Sequence, residues 1–123
     1  MDMSIVAFLT NDLLFQSRVA SVATNAGVQL VADRTPDRLI AKLVEGASVR
    51  LVIVDLNLEL SDLSQALVTI KAHCPYARSV AYGPHVHEAR LQRAAEAGFD
   101  QVLTRGQFDR QMISLIAGES SSE

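Results

Sequence analysis

What this sequence lacks narrows the field first. Among its 123 residues there is one cysteine, Cys74, which rules out an internal disulfide and fits a reducing compartment. The apolar stretches are short and broken by Asp, Asn or Arg, so none is long enough to cross a bilayer. No basic region precedes an apolar run at Met1-Asp2-Met3-Ser4, so a secretory leader is not expected. Positive charge is scarce as well. A formal net charge of −3 gives no bulk electrostatic reason to expect nucleic acid or an anionic membrane as partner. Neither a P-loop nor a dinucleotide glycine fingerprint occurs. What remains, 49% hydrophobic and 20% charged, is ordinary for one globular, cytoplasmic domain.

The residues that are present alternate short apolar runs with segments of helical period. Ser4–Thr10 is almost continuously apolar, as a strand buried on both faces should be. Phe15, Val19, Val22 and Ala26 then recur at helical spacing, with Asn11 or Asp12 to cap the helix and Gly27 to end it. Val28–Asp33 is a second strand. Thr35-Pro36-Asp37 starts a helix with a hydroxyl cap, a proline in the first turn and a carboxylate that complements the dipole. Leu39, Ile40 and Leu43 supply its buried face and Gly46 its end. Arg50–Asp55 is the clearest strand, β-branched, apolar and closed by a carboxylate.

A third helix is expected from about Ser61, burying Leu63, Leu67, Ile70 and Cys74 and stopped by Pro75. Ala77–Tyr82 is a fourth strand, Gly83-Pro84 a turn, and His85–Ala97 a weakly hydrophobic helix ended by Gly98. Phe99–Thr104 is a fifth strand, and Phe108, Met112, Leu115 and Ile116 mark a last helix. The ordered domain is expected over residues 4–117, with a polar, disordered tail at 118–123.

Strands alternating with helices through short connections predict one parallel sheet covered on both faces. In such sheets function lies beyond the carboxyl ends of the strands. The residues there are Thr10, Asn11 and Asp12, then Asp55, Gly83, Thr104 and Arg105.

Two local motifs give this pattern a family likeness. Leu51-Val-Ile-Val-Asp55-Leu-Asn resembles the third strand of the response-regulator receiver family, where an aspartate accepts a phosphoryl group. Ala94-Ala-Glu-Ala-Gly98-Phe-Asp-Gln-Val-Leu resembles that family's fourth helix and fifth strand. The likeness runs from about Ser4 to Ala117 and implies a doubly wound, flavodoxin-like (CheY-like) α/β fold with strand order 2-1-3-4-5. In that family a Mg²⁺ ion, held by two acidic residues after the first strand and by the phosphoacceptor, neutralises charge on the phosphoryl oxygens. A lysine after the fifth strand and a Ser or Thr after the fourth complete the site.

Carried over residue by residue, the resemblance makes Asp55 the phosphoacceptor equivalent and little else matches. The acidic pair falls on Thr10 and Asn11, which carry no charge, and Asp12 is the nearest carboxylate. The Ser/Thr position is Gly83. The lysine position is Arg105, a planar fork rather than a point charge, and the proline usually next to it is Gly106. The switch aromatic position in the fifth strand is Val102, while Tyr82 lies in the fourth and reads as core.

The chain is therefore expected to be a receiver-like signalling module of a two-component or phosphorelay system with an incomplete site, not an enzyme, and without a cofactor. It would act on a protein partner (a sensor kinase, an output domain or a twin subunit) through residues 85–117, with Arg90 and Arg93 available on the fourth helix. The alternative is a working phosphoacceptor in which Asp12 and Asp55 hold Mg²⁺ and Arg105 replaces the lysine. Two further arrangements are open: an Arg105–Asp55 ion pair filling the site, or a small ligand in a crevice enlarged at Gly83. For Asp12 helix capping is the favoured role, and for Asp55 the capping of neighbouring amides is the plain alternative. His73, Cys74, His85 and His87 match no zinc spacing, and the glycine-free segment Thr10–Leu14 does not suit a flavin phosphate.

Overall fold

A computed structural model describes residues 4–43, 48–60 and 62–118. The elements alternate in the order β1 (Ile5–Leu9), α1 (Leu13–Ala26), β2 (Gln29–Asp33), α2 (Pro36–Lys42), β3 (Val49–Asp55), α3 (Leu63–His73), β4 (Arg78–Gly83), α4 (Glu88–Ala97), β5 (Gln101–Thr104) and α5 (Arg105–Ala117). The five strands form one sheet, all neighbours parallel, in the order β2-β1-β3-β4-β5. This is the doubly wound α/β fold expected from the sequence.

Strand alternation sorts the side chains into two cores. Val6, Phe8, Leu51, Ile53, Val80 and Tyr82 face α1 and α5, which bury Phe15, Val19, Ala23, Phe108, Met112 and Ile116 against them. Ala7, Leu9, Val52, Val54 and Ala81 face the other way, under Leu39 of α2, Leu67 and Ile70 of α3 and Ala94 of α4. Because β1 and β3 are buried on both faces, Ile5–Leu9 and Leu51–Val54 read as unbroken apolar runs, while β4 is apolar over Val80–Tyr82 after a buried Ser79. Each large side chain so buried contributes roughly 1.5–3 kcal/mol before entropy is charged.

Helix ends follow local chemistry. Asp12, Thr35 and Asp62 cap α1, α2 and α3 by accepting from Phe15, Arg38 and Gln65 N–H. Gly27 and Gly98 close α1 and α4 in the left-handed conformation. Four sequence expectations are corrected. Ala23 rather than Ala26 joins the α1 core, since Ala26 lies on the exposed last turn. Helix α2 closes at Leu43, whose N–H turns back to Ile40 O, ahead of Gly46, which lies outside the described residues.

Helix α4 starts at Glu88 rather than His85, because Pro84 opens a turn in which His87 N–H bonds Pro84 O. Val86 therefore precedes the helix and is 70% exposed, leaving Leu91 and Ala94 as the α4 core face. The expected start of α3 at Ser61 and the tail beyond Gly118 also lie outside the described residues, and Gly118 itself is the left-handed cap of α5.

Candidate functional site

The carboxyl ends of β1, β3 and β4 meet at a small buried polar cluster. Thr10 continues the Val6–Phe8 face of β1, Asp55 the Leu51–Ile53 face of β3, and Tyr82 is the register partner of Asp55 on β4. All three are buried, Asp55 to 1% exposure. Thr10 Oγ1 donates to Asp55 Oδ2 at 2.7 Å and itself accepts from Asp12 N–H at 3.0 Å. Asp55 Oδ1 accepts from Asn57 N–H at 2.9 Å. Both carboxylate oxygens are thus engaged within the chain.

Tyr82 stacks on Phe108 with ring centroids 4.5 Å apart and 3° between planes, and Phe15 tilts against both. Its hydroxyl is buried without a hydrogen-bond partner among the described residues. Burial pushes this phenol far above its ordinary value, and the negative charge of Asp55 adds to the shift.

Asp12 and Arg105 stand outside this cluster. Asp12 Oδ1 caps α1 by accepting from Phe15 N–H at 3.0 Å, and Oδ2 accepts from Arg105 Nη2 at 3.1 Å. The Phe15 N–H holds the Asp12 carboxyl below its usual value; partial burial opposes this, and the Arg105 guanidinium reinforces it. The guanidinium also lies over the Phe15 ring, 4.6 Å from its centroid. Arg105 therefore pairs with Asp12 rather than Asp55, because it opens α5 directly after Thr104 and its side chain is spanned by Phe15 and Asp12. The Arg105–Asp55 pair, one of the arrangements the sequence left open, is not formed; Arg105 pairs with Asp12 instead. Asn11 is exposed beside it.

Gly83 adds no space to a crevice. A Cβ there would lie 3.2 Å from the Leu56 Cβ, so Leu56 already fills the volume that a side chain at 83 would take. The enlargement of a crevice at Gly83, left open by the sequence, is thus not found. His85 and His87 are exposed, His73 bonds Thr69 O, and Cys74 is a buried helix cap whose thiol is pushed up by desolvation. Among the described residues no group of three or more His, Cys, Asp or Glu side chains could hold a metal ion.

A Mg²⁺ ion fits this donor set poorly. Of the four oxygens of Asp12 and Asp55, each already accepts a hydrogen bond, and the position nearest Asp55 carries a hydroxyl that spends its proton on it. A hard cation that wants several anionic oxygens would have to displace a helix cap and an ion pair to bind.

Two residues act at the site beyond the role their sequence position gives them, Phe15 and Gln107. Phe15 was assigned to the core alone, yet it seats Arg105. Thr104 and Gln107 form a reciprocal capping box that fixes where Arg105 leaves the sheet, and the Thr-x-x-Gln spacing announces it.

The fold is shared with response-regulator receiver domains. The receiver domain of NtrX from Brucella abortus superimposes with a TM-score of 0.70 at 19% identity, over 94% of this chain and 99% of that one. A response regulator receiver domain from Rhodospirillum rubrum gives 0.67 at 18% identity, over 97% and 95%. The beryllofluoride-activated NtrC4 receiver domain dimer gives 0.69 at 13% identity, over 94% and 98%. No protein-family model matches the sequence, and a search of curated proteins returns no match. The likeness is one of fold: this chain has the CheY-like architecture of receiver domains, and among its described residues no helix is long and apolar enough to cross a membrane.

Proposed function

We propose that this chain is a pseudo-receiver, a cytoplasmic signalling module of two-component type that works by binding a protein partner and does not turn over phosphoryl groups. The observation that carries the reading is the closure of Asp55: a carboxylate at 1% exposure, with Thr10 and Asn57 on its two oxygens. A phosphoacceptor has to present an oxygen in line with the phosphorus and have its developing charge met by a cation. Here both oxygens are engaged by Thr10 and Asn57, and the Arg105 guanidinium, in place of the family's lysine, is committed to Asp12; on this reading neither Mg²⁺ nor another cofactor takes part.

The partner surface is assigned to residues 85–117, which present Arg90, Arg93 and the exposed Ile113 of α5. A net charge of −3 argues against nucleic acid and anionic membranes. The NtrC4 receiver with this fold is a dimer when activated by beryllofluoride, which makes a twin subunit or another protein a reasonable kind of partner.

The test is an amide NMR titration with Mg²⁺ and beryllofluoride, using Asp55→Asn as control. No change around Asp55 at millimolar Mg²⁺ is expected. Shifts that need both Mg²⁺ and the Asp55 carboxylate would overturn the reading and establish a working phosphorylation switch instead.

A further inference from the structure

Between the segment that follows β3 and the outer face of α4 lies a half-open cleft of about 310 Å³. Its walls are four leucines, Leu56, Leu58, Leu60 and Leu63, and two arginines one helical turn apart, Arg90 and Arg93. The volume is at the lower end of the range for small-molecule sites, roughly 300–1,000 Å³, and the lining is mixed: the leucines supply its apolar part, and somewhat more of the surface facing the cleft is polar than apolar.

The two arginines differ in role. Arg90 Nη1 donates to Leu56 O at 3.1 Å, which fixes its guanidinium at the wall. Arg93 is exposed and has no ion pair or hydrogen bond among the described residues, so its five donors are free. Glu59 stands on the same lining, so the charged groups sum to one positive charge. That balance suits a monoanion. A phosphate dianion would leave net negative charge beside Glu59.

We infer that this cleft binds a small aliphatic carboxylate, its hydrocarbon body against the four leucines and its carboxylate on the Arg93 fork, with Arg90 as the second donor. Arg–carboxylate pairing is bidentate by geometry, and the leucine part of the lining rewards a chain over a compact anion such as acetate. The site is separate from the Thr10–Asp55 cluster, which lies on the α1/α5 face of the sheet, and it stands or falls independently of whether Asp55 is phosphorylated.

Octanoate is the probe, followed by amide NMR of the full chain, with octan-1-ol and octylammonium as neutral and cationic comparators. Octanoate is expected to give saturable shifts at Leu56, Leu58, Leu60, Leu63 and the α4 residues 90–93. The two comparators should bind at least roughly tenfold more weakly, the factor that corresponds to about 1.4 kcal/mol. Arg93→Gln, a change at an exposed position that leaves the fold intact, should weaken octanoate by a similar factor and leave octan-1-ol unchanged. The inference is overturned by the absence of saturable shifts, by shifts centred elsewhere, by octan-1-ol binding as tightly as octanoate, or by an Arg93→Gln protein that binds octanoate like the parent.

Discussion

Thr10 and Asp55, 45 residues apart in sequence, share one proton at 2.7 Å across adjacent strands, and neither is open to solvent. The hydroxyl stands where the resemblance to receivers places an acidic residue. A neutral donor there does what a metal ion would otherwise do for Asp55, giving its Oδ2 a positive partner. Thr10→Val keeps the shape and removes the proton. It leaves Asp55 Oδ2 without its donor and Asp12 N–H without its acceptor, so stability should fall by about 1–3 kcal/mol. Urea denaturation measures this, with the slope unchanged and the midpoint lowered. Thr10→Ser should recover most of it, and a Val variant as stable as the parent would mean the bond carries no weight.

Asp12 supplies a prediction with a sign in pH. Its carboxyl is held below the ordinary value first by the Phe15 N–H and then by Arg105, against partial desolvation. A carboxyl whose folded value is depressed contributes stability that is fully present above its unfolded value, near 3.9, and lost as pH falls through the folded value. Asp12→Ala should therefore cost about 1 kcal/mol at neutral pH, the usual cost of an N-cap, and the gap from the parent should close as the pH drops below about 4. Thermal melts of both proteins across that range decide it. A gap that stays constant with pH would show that capping geometry, not charge, sets the effect.

Tyr82, 1% exposed and the register partner of Asp55, carries a buried hydroxyl with no hydrogen-bond partner among the described residues. Tyr82→Phe removes that unmet group and keeps the stack on Phe108, so it should be neutral or stabilising by up to roughly 1–3 kcal/mol. The folded phenol is raised far above its unfolded value near 10, so it holds its proton throughout the stable range. The stability tied to the neutral form is complete below that unfolded value and is lost as pH climbs beyond it. Phenolate absorbance from Tyr82 should appear only together with unfolding, and the Phe variant should resist alkali better than the parent. Ionisation of Tyr82 in a folded protein would show that water reaches the cluster.

The architecture was legible because its signals are local and repeated. Short β-branched runs such as Arg50–Asp55 favour doubly buried strands, and Thr35-Pro36-Asp37 favours a helix start, so element order and sheet type followed from their repetition. Boundaries slipped where a turn competes with a helix: Pro84 draws His87 into its own turn and delays α4 to Glu88. At the site, spacing placed Thr10, Asp55, Gly83 and Arg105 at the correct strand ends but could not say which would touch. Whether Arg105 meets Asp12 or Asp55 depends on the Phe15 ring beneath it and on the capping box that launches α5, and both are matters of packing. The filling of Gly83 by Leu56 was illegible for the same reason.

That last contact gives a prediction with a built-in control. Gly83→Ser would restore a hydroxyl at the position where receivers carry one, but its Cβ would come within 3.2 Å of the Leu56 Cβ. Both positions lie on strand-end backbone that is hydrogen-bonded, Leu56 N–H donating to Tyr82 O at 2.8 Å, so neither chain can retreat easily. Overpacking of this kind costs roughly 1–3 kcal/mol. Leu56→Ala alone opens a cavity and should cost about 2–5 kcal/mol. Together the two changes relieve one another in part: the Cβ of residue 56 stays in an alanine, but the Cδ1 and Cγ that would lie 3.6 and 3.8 Å from the new Cβ are gone, and the serine hydroxyl can take some of their space. The double variant should then be more stable than the sum of the single effects predicts, by roughly 0.5–3 kcal/mol in a double-mutant cycle. Strict additivity would mean that Leu56 does not fill the space beside Gly83. If the pair couples as expected, the serine hydroxyl at 83 finds room only when the outer atoms of Leu56 are removed. Restoring a receiver-like site in this chain then takes a change in the core beneath the site as well as at Thr10 and Asn11.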